Sequence, residues 1–322
     1  MQRDKHPVTL LTGFLGSGKT TLLAELLAHP GMGETAVIVN ELGEIGIDHH
    51  LVSQVDERTV VLDSGCVCCV MRGDLADELR DLFSRRIRYE IPDFRRVVVE
   101  TTGIADPAPI LFTLLSEPVV KHHFELDGVV TTVDALNGVD QLQRQPEAAK
   151  QAAVADRLVV TKTDIADSAS VAALESRLAR INPTAPMLRV VQGKVEPETL
   201  FGGSERDVRD LELSPPGHID DVHAFSLILD EEIDWTAFGV WLTMLLQARG
   251  EHILRVKGLL NVGEDGPLLL NGVQHVVHPP VHLEKWPDDD QRSRIVIIAR
   301  GAGRDEVERS LAAFNRAAKA RG

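Results

Sequence analysis

Between residue 7 and about residue 200 the chain alternates short apolar runs with helix-period patterns. The runs Val8–Thr12, Ala36–Asn40, Thr59–Leu62, Arg96–Glu100, Gly128–Val133 and Arg157–Thr161 are apolar at consecutive positions, not at every second one. Such runs suit strands of a parallel sheet covered by helices, because neither face meets water. Between them, Met71, Leu75, Leu79 and Leu82 recur at helical spacing and mark one buried stripe. The alternation predicts a doubly wound α/β domain with a mostly parallel sheet over residues 1–201.

Residues 202–221 break this rhythm with Gly202, Gly203, Pro215, Pro216, Gly217 and many charges, so they are expected to form a linker. Beyond it the pattern predicts a strand (Val222–Leu229), a helix (Asp234–Arg249), strands at His252–Val262, Leu268–Val277 and Arg294–Ala299, and a last helix. Val307, Leu311, Phe314 and Ala318 make that last helix amphipathic. The order β-α-β-β-β-α over residues 222–322 indicates a smaller α+β domain. A length of 322 residues agrees with two cores.

Composition narrows the function. Aromatic residues are only 4% of the chain, so the cores must be largely aliphatic, and all three tryptophans (Trp235, Trp241, Trp286) fall in the second part. A formal charge of −15 argues against general nucleic-acid binding, since acidic surfaces repel phosphate backbones. No apolar run approaches the ~20 residues that a membrane span needs. The early run Val8–Leu15 lacks the layout of a cleavable signal. The three cysteines, Cys66, Cys68 and Cys69, are crowded together, which fits no secreted disulfide framework and points to metal or redox chemistry in a reducing, cytoplasmic setting.

The strongest motif is Gly13-Phe-Leu-Gly16-Ser17-Gly18-Lys19-Thr20, a phosphate loop placed between an apolar strand and the helix start Thr21–Leu27. Its glycines let backbone N–H groups converge on phosphates, Lys19 brings charge to the β- and γ-phosphates, and the Thr20 hydroxyl can ligate Mg²⁺. A second strand ends in Val97-Val-Val-Glu100-Thr-Thr-Gly103, which supplies a carboxylate as second Mg²⁺ anchor and an N–H of Gly103 for the γ-phosphate. A third ends in Thr161-Lys162-Thr163-Asp164. A carboxylate at Asp164 can accept both adjacent donors of guanine, N1–H and N2–H₂, with the Lys162 stem over the ring. GTP-hydrolysing enzymes commonly carry Asn where Thr161 stands. Read alone, this third element could also be an ordinary surface Lys and Asp.

Cys66-Val-Cys68-Cys69 lies between a strand and the helix beginning near Met71. An extended strand would put Cys66 and Cys68 on one face and Cys69 on the other, so the three converge only if the chain turns, as Gly65 allows. Three thiolates favour a soft or borderline ion such as Zn²⁺ or Cu⁺ and leave a fourth position open, an arrangement suited to transfer. Buried inert cysteines and a redox switch are the competing readings. The acidic, glycine-spaced stretch Asn40–Asp48 follows another strand and reads as a mobile switch loop. Glu41, Glu44 and Asp48 are its candidates for reaching Mg²⁺, a catalytic water or the thiolate-bound metal, and a plain solvated loop is the alternative. His275, His278 and His282 would form a ligand face on a helix, but Val276, Val277, Pro279 and Pro280 forbid one. The pairs His49-His50 and His122-His123 read as surface residues, with an auxiliary metal contact left open for His49 and His50 because they adjoin the acidic loop.

At this point the sequence resembles the CobW-type P-loop GTPases, relatives of the hydrogenase and urease nickel-insertion GTPases. The resemblance runs through GFLGSGKTTLL (13–23), NELGEIGID (40–48), GCVCC (65–69), VVVETTGIADP (97–107), LDGVVTTVDA (126–135), VTKTD (160–164), LRVKGLLNV (254–262) and LLNGVQHVVHPP (269–280). It implies a P-loop NTPase fold, GTP hydrolysis with Mg²⁺, binding of Zn²⁺ or Co²⁺, delivery of metal to a client protein, and a nucleotide-dependent homodimer. By position it implies that Gly16, Gly18, Lys19, Thr20 and Thr21 hold phosphate and Mg²⁺ and that Glu100 is the Walker B-type acid. Asp164 would read guanine, and Cys66, Cys68 and Cys69 would bind the transition metal with Glu41 or Glu44 nearby. Two departures leave the ligand set open: Val39 stands where some members use Glu, and His218 is the one histidine where many have a histidine-rich stretch.

The leading expectation is a GTP-gated metallochaperone in which MgGTP orders residues 40–48 and draws 65–69 into a metal-binding geometry. Hydrolysis, slow without a partner, then releases both segments. A P-loop kinase of a small molecule, a nucleotide-binding thiol redox sensor and a non-hydrolysing scaffold are the alternatives.

Overall fold

The computed structural model describes residues 5–40, 60–64, 74–202, 217–219 and 222–319. The chain forms two compact units, Met1–Ser176 with Ala185–Ser204, and Arg177–Thr184 with Glu205–Gly322.

The first unit begins with β1 (His6–Gly13), α1 (Lys19–Ala28), β2 (Thr35–Asn40), β3 (Val60–Ser64) and α2 (Asp74–Ile87). It continues with β4 (Arg96–Glu100), α3 (Pro107–Ser116), α4 (Pro118–His123), β5 (Phe124–Asp134), α5 (Gly138–Arg144) and α6 (Pro146–Val154). After these come β6 (Arg157–Thr161), α7 (Ser168–Ile181), whose residues from Arg177 on are grouped with the second unit, and β7 (Met187–Val190). The strands make one parallel sheet in the order β3-β2-β4-β1-β5-β6-β7. The six apolar runs all become strands, and β4 and β6 keep the expected limits. β5 starts earlier, at Phe124, and β7 was not foreseen: its residues are mostly half-buried at the sheet edge, so the apolar signal is weak. Above one face, Leu22, Leu23, Leu26 and Leu27 of α1 pack on Leu11, Val37, Val98, Val130 and Val159 of the sheet. This is the aliphatic core that the composition demands.

The strand order fixes the site. The chain runs outward from β1 to β2, returns to β4 on one side of β1, and crosses to β5 on the other. At such a reversal, loops leave the carboxyl ends of neighbouring strands in opposite directions and open a crevice. The ends of β1, β4, β5 and β6 are the positions of Gly13, Glu100, Asp134 and Thr161.

The second unit carries an antiparallel sheet in the order Val276–Val277, Leu268–Val273, Ile253–Leu260, Ser293–Arg300, Val222–Leu229, Gly217–Ile219, with Val281–His282 beside Leu268–Val273. Its elements are β8 (Gly217–Ile219), β9 (Val222–Leu229), α8 (Trp235–Arg249), β10 (Ile253–Leu260), β11 (Leu268–Val273), β12 (Val276–Val277), β13 (Val281–His282), β14 (Ser293–Arg300) and α9 (Arg304–Lys319). Asp234 caps α8 by accepting from Ala237 N at 3.0 Å. Phe238, Trp241, Leu242 and Leu246 of α8 and Val307 and Leu311 of α9 share one core with alternate residues of β9, β10 and β14. Trp241 satisfies its indole N–H on Ser310 Oγ at 3.0 Å. Three differences from the sequence pattern stand out. The run Leu268–Val277 is a hairpin, not one strand, because Gln274 takes φ 50° and turns the chain back on itself. Gly217–Ile219, inside the 202–221 connection, pairs with β9. Val281–His282 adds a short strand against β11.

The helical stripe of α2 offers a test of this packing. Leu75, Leu79 and Leu82 are buried, and Leu79 is fully so. Leu79→Ala should destabilise the first unit by about 2–5 kcal/mol in denaturant unfolding. An unchanged midpoint would mean that α2 does not close this core.

Candidate functional site

The phosphate loop owes its shape to its glycines and to hydroxyls below it. Gly13 has φ 143°, and a Cβ there would stand 2.3 Å from Thr132 Oγ1 and 2.5 Å from Thr132 O. Gly16 and Gly18 also take positive φ, and Gly18 is the N-cap of α1. Ser17 Oγ and Thr132 Oγ1 are bonded at 2.7 Å, and Thr132 Oγ1 reaches Thr12 O at 3.3 Å. Thr161 Oγ1 donates to Ser17 O at 2.7 Å. Strands β5 and β6 therefore hold the loop from beneath. Thr161, at the position where Asn is common, uses its hydroxyl as a tie to the loop backbone.

Lys19 is buried, and its Nζ donates to Gly13 O at 2.8 Å and Phe14 O at 3.3 Å, which places the ammonium over the loop's own carbonyls. Thr20 Oγ1 donates to Glu100 Oε1 at 2.9 Å. The phosphate loop and the end of β4 thus meet through the two side chains expected to anchor Mg²⁺. A hydroxyl and a carboxylate are hard oxygen donors of the kind Mg²⁺ takes, usually one or two from the protein with the rest from phosphate and water. The donor set fits the ion: the Thr20 hydroxyl could ligate through a lone pair while keeping its proton, and the Glu100 carboxylate offers a second oxygen. Beneath Glu100, Thr101 N donates to Leu11 O at 3.0 Å and Thr101 Oγ1 to Thr12 Oγ1 at 2.9 Å, which locks β4 to β1 at the site.

These elements enclose a cavity of about 540 Å³ lined by Gly16, Lys19, Thr20, Thr21, Glu100, Gly103 and Lys162, with Leu15, Gly18, Thr101, Thr102 and Ile104. Residues far apart in sequence converge here as the motif spacing requires. At the β6 end Lys162 takes φ 58°, and its Nζ lies 2.8 Å from Asp134 Oδ2. Asp134 is buried and also accepts from Asn137 Nδ2 at 2.9 Å and Leu136 N at 2.8 Å. Burial works to raise the Asp134 carboxyl, but the bonds from Lys162, Asn137 and the Leu136 amide outweigh it and hold its pKa below the ordinary aspartate value. Sequence reasoning passed over Asp134. Its signal was available: it ends a strand, and in register it faces Thr161, next to Lys162. Asp164 lies exposed in the following turn and makes no hydrogen bond or ion pair among the described residues, so its carboxylate faces solvent beyond Lys162.

Cys66, Cys68, Cys69, Glu41, Glu44 and Asp48, with the pair His49-His50, lie outside the described residues. Among the described residues no group of three or more His, Cys, Asp or Glu side chains is placed to hold a metal ion. The C-terminal histidines are dispersed as the prolines require. His275 sits in the β11–β12 turn, His278 Nδ1 lies 3.4 Å from Asn271 Nδ2, and His282 is 3.5 Å from Glu264. His122 and His123 lie edge to face, and His123 stacks on Phe83.

The Asp134 carboxylate makes acid stability a readout of the β5–β6 end. A pKa lowered by folding contributes stability that is complete above the unfolded value, about 4, and is lost as pH falls through the lower folded value. Wild type should therefore lose more unfolding free energy than Asp134→Asn between about pH 5 and pH 2. Parallel acid limbs for the two proteins would show that the charge on Asp134 holds nothing.

Residues 7–189 match the CobW/HypB/UreG nucleotide-binding domain, and residues 222–315 match the Cobalamin synthesis protein cobW C-terminal domain. The chain is 35% identical to the zinc chaperone YjiA of Escherichia coli over 317 residues, covering 96% of this chain and 98% of that protein. It is 30% identical to the zinc chaperone CobW of Pseudomonas aeruginosa, covering 92% of this chain and 88% of the other. The crystal structure of Zn(II)-bound YjiA GTPase from E. coli superposes with a TM-score of 0.76 at 31% identity, covering 97% of this chain and 99% of that one. No helix among the described residues is long and apolar enough to cross a membrane. By sequence over both units and by fold, the chain belongs to the CobW/HypB/UreG family.

Proposed function

We propose that this protein is a Mg²⁺-dependent GTPase of the cytoplasm that binds Zn²⁺ or Co²⁺ and hands it to a metal-dependent client. The observation that carries the reading is the convergence of Lys19, Thr20, Glu100, Gly103 and Lys162 on one cavity, together with full-length likeness to a zinc chaperone. In this reading the loop amides and Lys19 hold the β- and γ-phosphates. Mg²⁺, held by Thr20 and Glu100, would neutralise charge that develops as the γ-phosphoryl group leaves. Gly103 N–H faces that group. Lys162, braced by Asp134, covers the base, and Asp164 accepts from guanine N1–H and N2–H₂. Cys66, Cys68 and Cys69, with Glu41 or Glu44, bind the cargo metal, and Asp48 belongs to the segment that answers to the γ-phosphate. The second unit recognises the client or a second copy of the chain in a nucleotide-dependent dimer.

Two measurements test this. The purified protein should release phosphate from GTP only with Mg²⁺, slowly, and Lys19→Ala should abolish it. Formation of a phosphorylated acceptor in place of free phosphate would make it a kinase instead. Asp164→Asn should weaken GTP by roughly 100-fold or more, since two hydrogen bonds to a charged acceptor are lost, and should favour the xanthine nucleotide, which carries a carbonyl where guanine has its 2-amino group. Retention of guanine preference in Asp164→Asn would remove Asp164 as the base reader.

A further inference from the structure

Gly103 joins β4 to α3 and lines the cavity beside Lys19 and Glu100. It lies directly against the phosphate loop: a Cβ there would be 2.6 Å from Leu15 N and 2.8 Å from Leu15 Cα. On its other side the loop from Gly103 to Asp106 is gripped by α6. Gln151, fully buried, donates from Nε2 to Gly103 O at 3.2 Å and to Ala105 O at 3.0 Å. The preceding residue reaches the same loop, with Lys150 Nζ 3.1 Å from Asp106 Oδ2. Asp106 in turn caps α3 by accepting from Ala108 N at 3.1 Å. The gripping helix is itself tied to the sheet, because Thr131 Oγ1 of β5 donates to Gln151 O at 2.9 Å.

This grip has a cost. Gln151 Oε1 and Thr102 Oγ1 are both sealed from solvent with no hydrogen-bond partner among the described residues. An orphaned buried polar atom is expensive, and packing alone would be served as well by Met or Leu at position 151. What only the amide supplies is a pair of donors aimed at the two carbonyls of this loop.

We propose that Gln151 is a positioning residue for GTP hydrolysis: by fixing the Gly103 and Ala105 carbonyls it keeps the Gly103 N–H aimed at the γ-phosphoryl group. This rests on the GTPase reading above. In the reaction a water oxygen bonds to the γ-phosphorus while the bond to the β,γ-bridging oxygen breaks. The electron pair leaves with GDP, and the water's proton ends on the released phosphate. Charge spreads over the γ-oxygens on the way, and a pre-aimed N–H stabilises it without having to be ordered first. GDP offers nothing at that position, so the grip acts on GTP and leaves GDP binding alone. Lys150 supports the same loop from its outer end.

Gln151→Met keeps the length of the side chain and removes both donors. Its affinity for GDP should stay within about twofold, while its preference for GTP over GDP and its kcat each fall about tenfold. Its affinity for GDP with aluminium fluoride, a mimic of the reacting γ-phosphoryl group, should fall by about the same factor. Lys150→Met leaves the core intact and should shift the same ratio in the same direction by about two- to threefold, which decides the matter if Gln151→Met fails to fold. Wild-type discrimination and turnover in these variants, or an equal loss of GTP and GDP affinity, would overturn the proposal. Absence of Mg²⁺-dependent GTP turnover in wild type would overturn the GTPase reading as well, so the two failures are told apart.

Discussion

A phosphate loop binds phosphate only while its amide groups point inward, and the few bonds within the loop, such as Ser17 N to Phe14 O at 3.1 Å, are not its only support. In this protein further constraint comes from below. Gly13 lies so close to Thr132 that no side chain fits between them. Ser17 is fastened to Thr132 through its hydroxyl and to Thr161 through its carbonyl. Three parallel strands, β5, β1 and β6, therefore set the loop's curvature before any nucleotide arrives, and the Lys19 ammonium rests on the loop carbonyls in the meantime. Such preorganisation lowers the cost of binding, because the ordering is completed on folding. The Mg²⁺ anchors depend on it too: Thr20 and Glu100 meet only because the loop and the β4 end are held in fixed register with each other.

From this fixed centre the site extends outward in two directions. Toward the proposed base position, Asp134 braces Lys162, and Asp164 is exposed in the turn that follows. Toward the proposed γ-phosphate position, Gly103 lies on the phosphate loop and is held by Gln151, while Lys150 bonds Asp106 at the outer end of the same segment. The proposed function assigns two cation chemistries to different residue types. Oxygen donors at Thr20 and Glu100 suit Mg²⁺, whereas the thiols of Cys66, Cys68 and Cys69 suit a softer ion. Separate ligand sets would let GTP and cargo metal bind at once, which any coupling between them requires.

Much of this was legible in the sequence, for physical reasons that differ by element. The central strands were clear because both faces are covered, so the apolar runs at Arg96–Glu100 and Arg157–Thr161 have sharp ends. The edge strand Met187–Val190 and the short strands Gly217–Ile219 and Val281–His282 were not, since an edge position demands little apolar character. The Leu268–Val277 hairpin was hidden because Gln274, a poor turn residue by type, occupies the left-handed region. In the site, Lys19, Thr20, Glu100, Gly103 and Lys162 could be read from motifs whose chemistry dictates residue type. Asp134 and Gln151 could not, because their roles come from register and helix placement and their types are common. The cysteine motif, readable only as a cluster, belongs to the residues that the structure leaves undescribed.

The proposed function requires that nucleotide and cargo metal bind with a shared free energy. The most direct test is Zn²⁺ and Co²⁺ affinity by chelator competition with MgGTP, with MgGDP and without nucleotide, paired with GTP affinity with and without metal. Linkage requires the factor by which GTP tightens metal to equal the factor by which metal tightens GTP. Metal should bind more tightly with MgGTP than in the other two states, and the difference should be lost when Cys66, Cys68 and Cys69 are replaced by Ser. Equal metal affinity in all three states would contradict it.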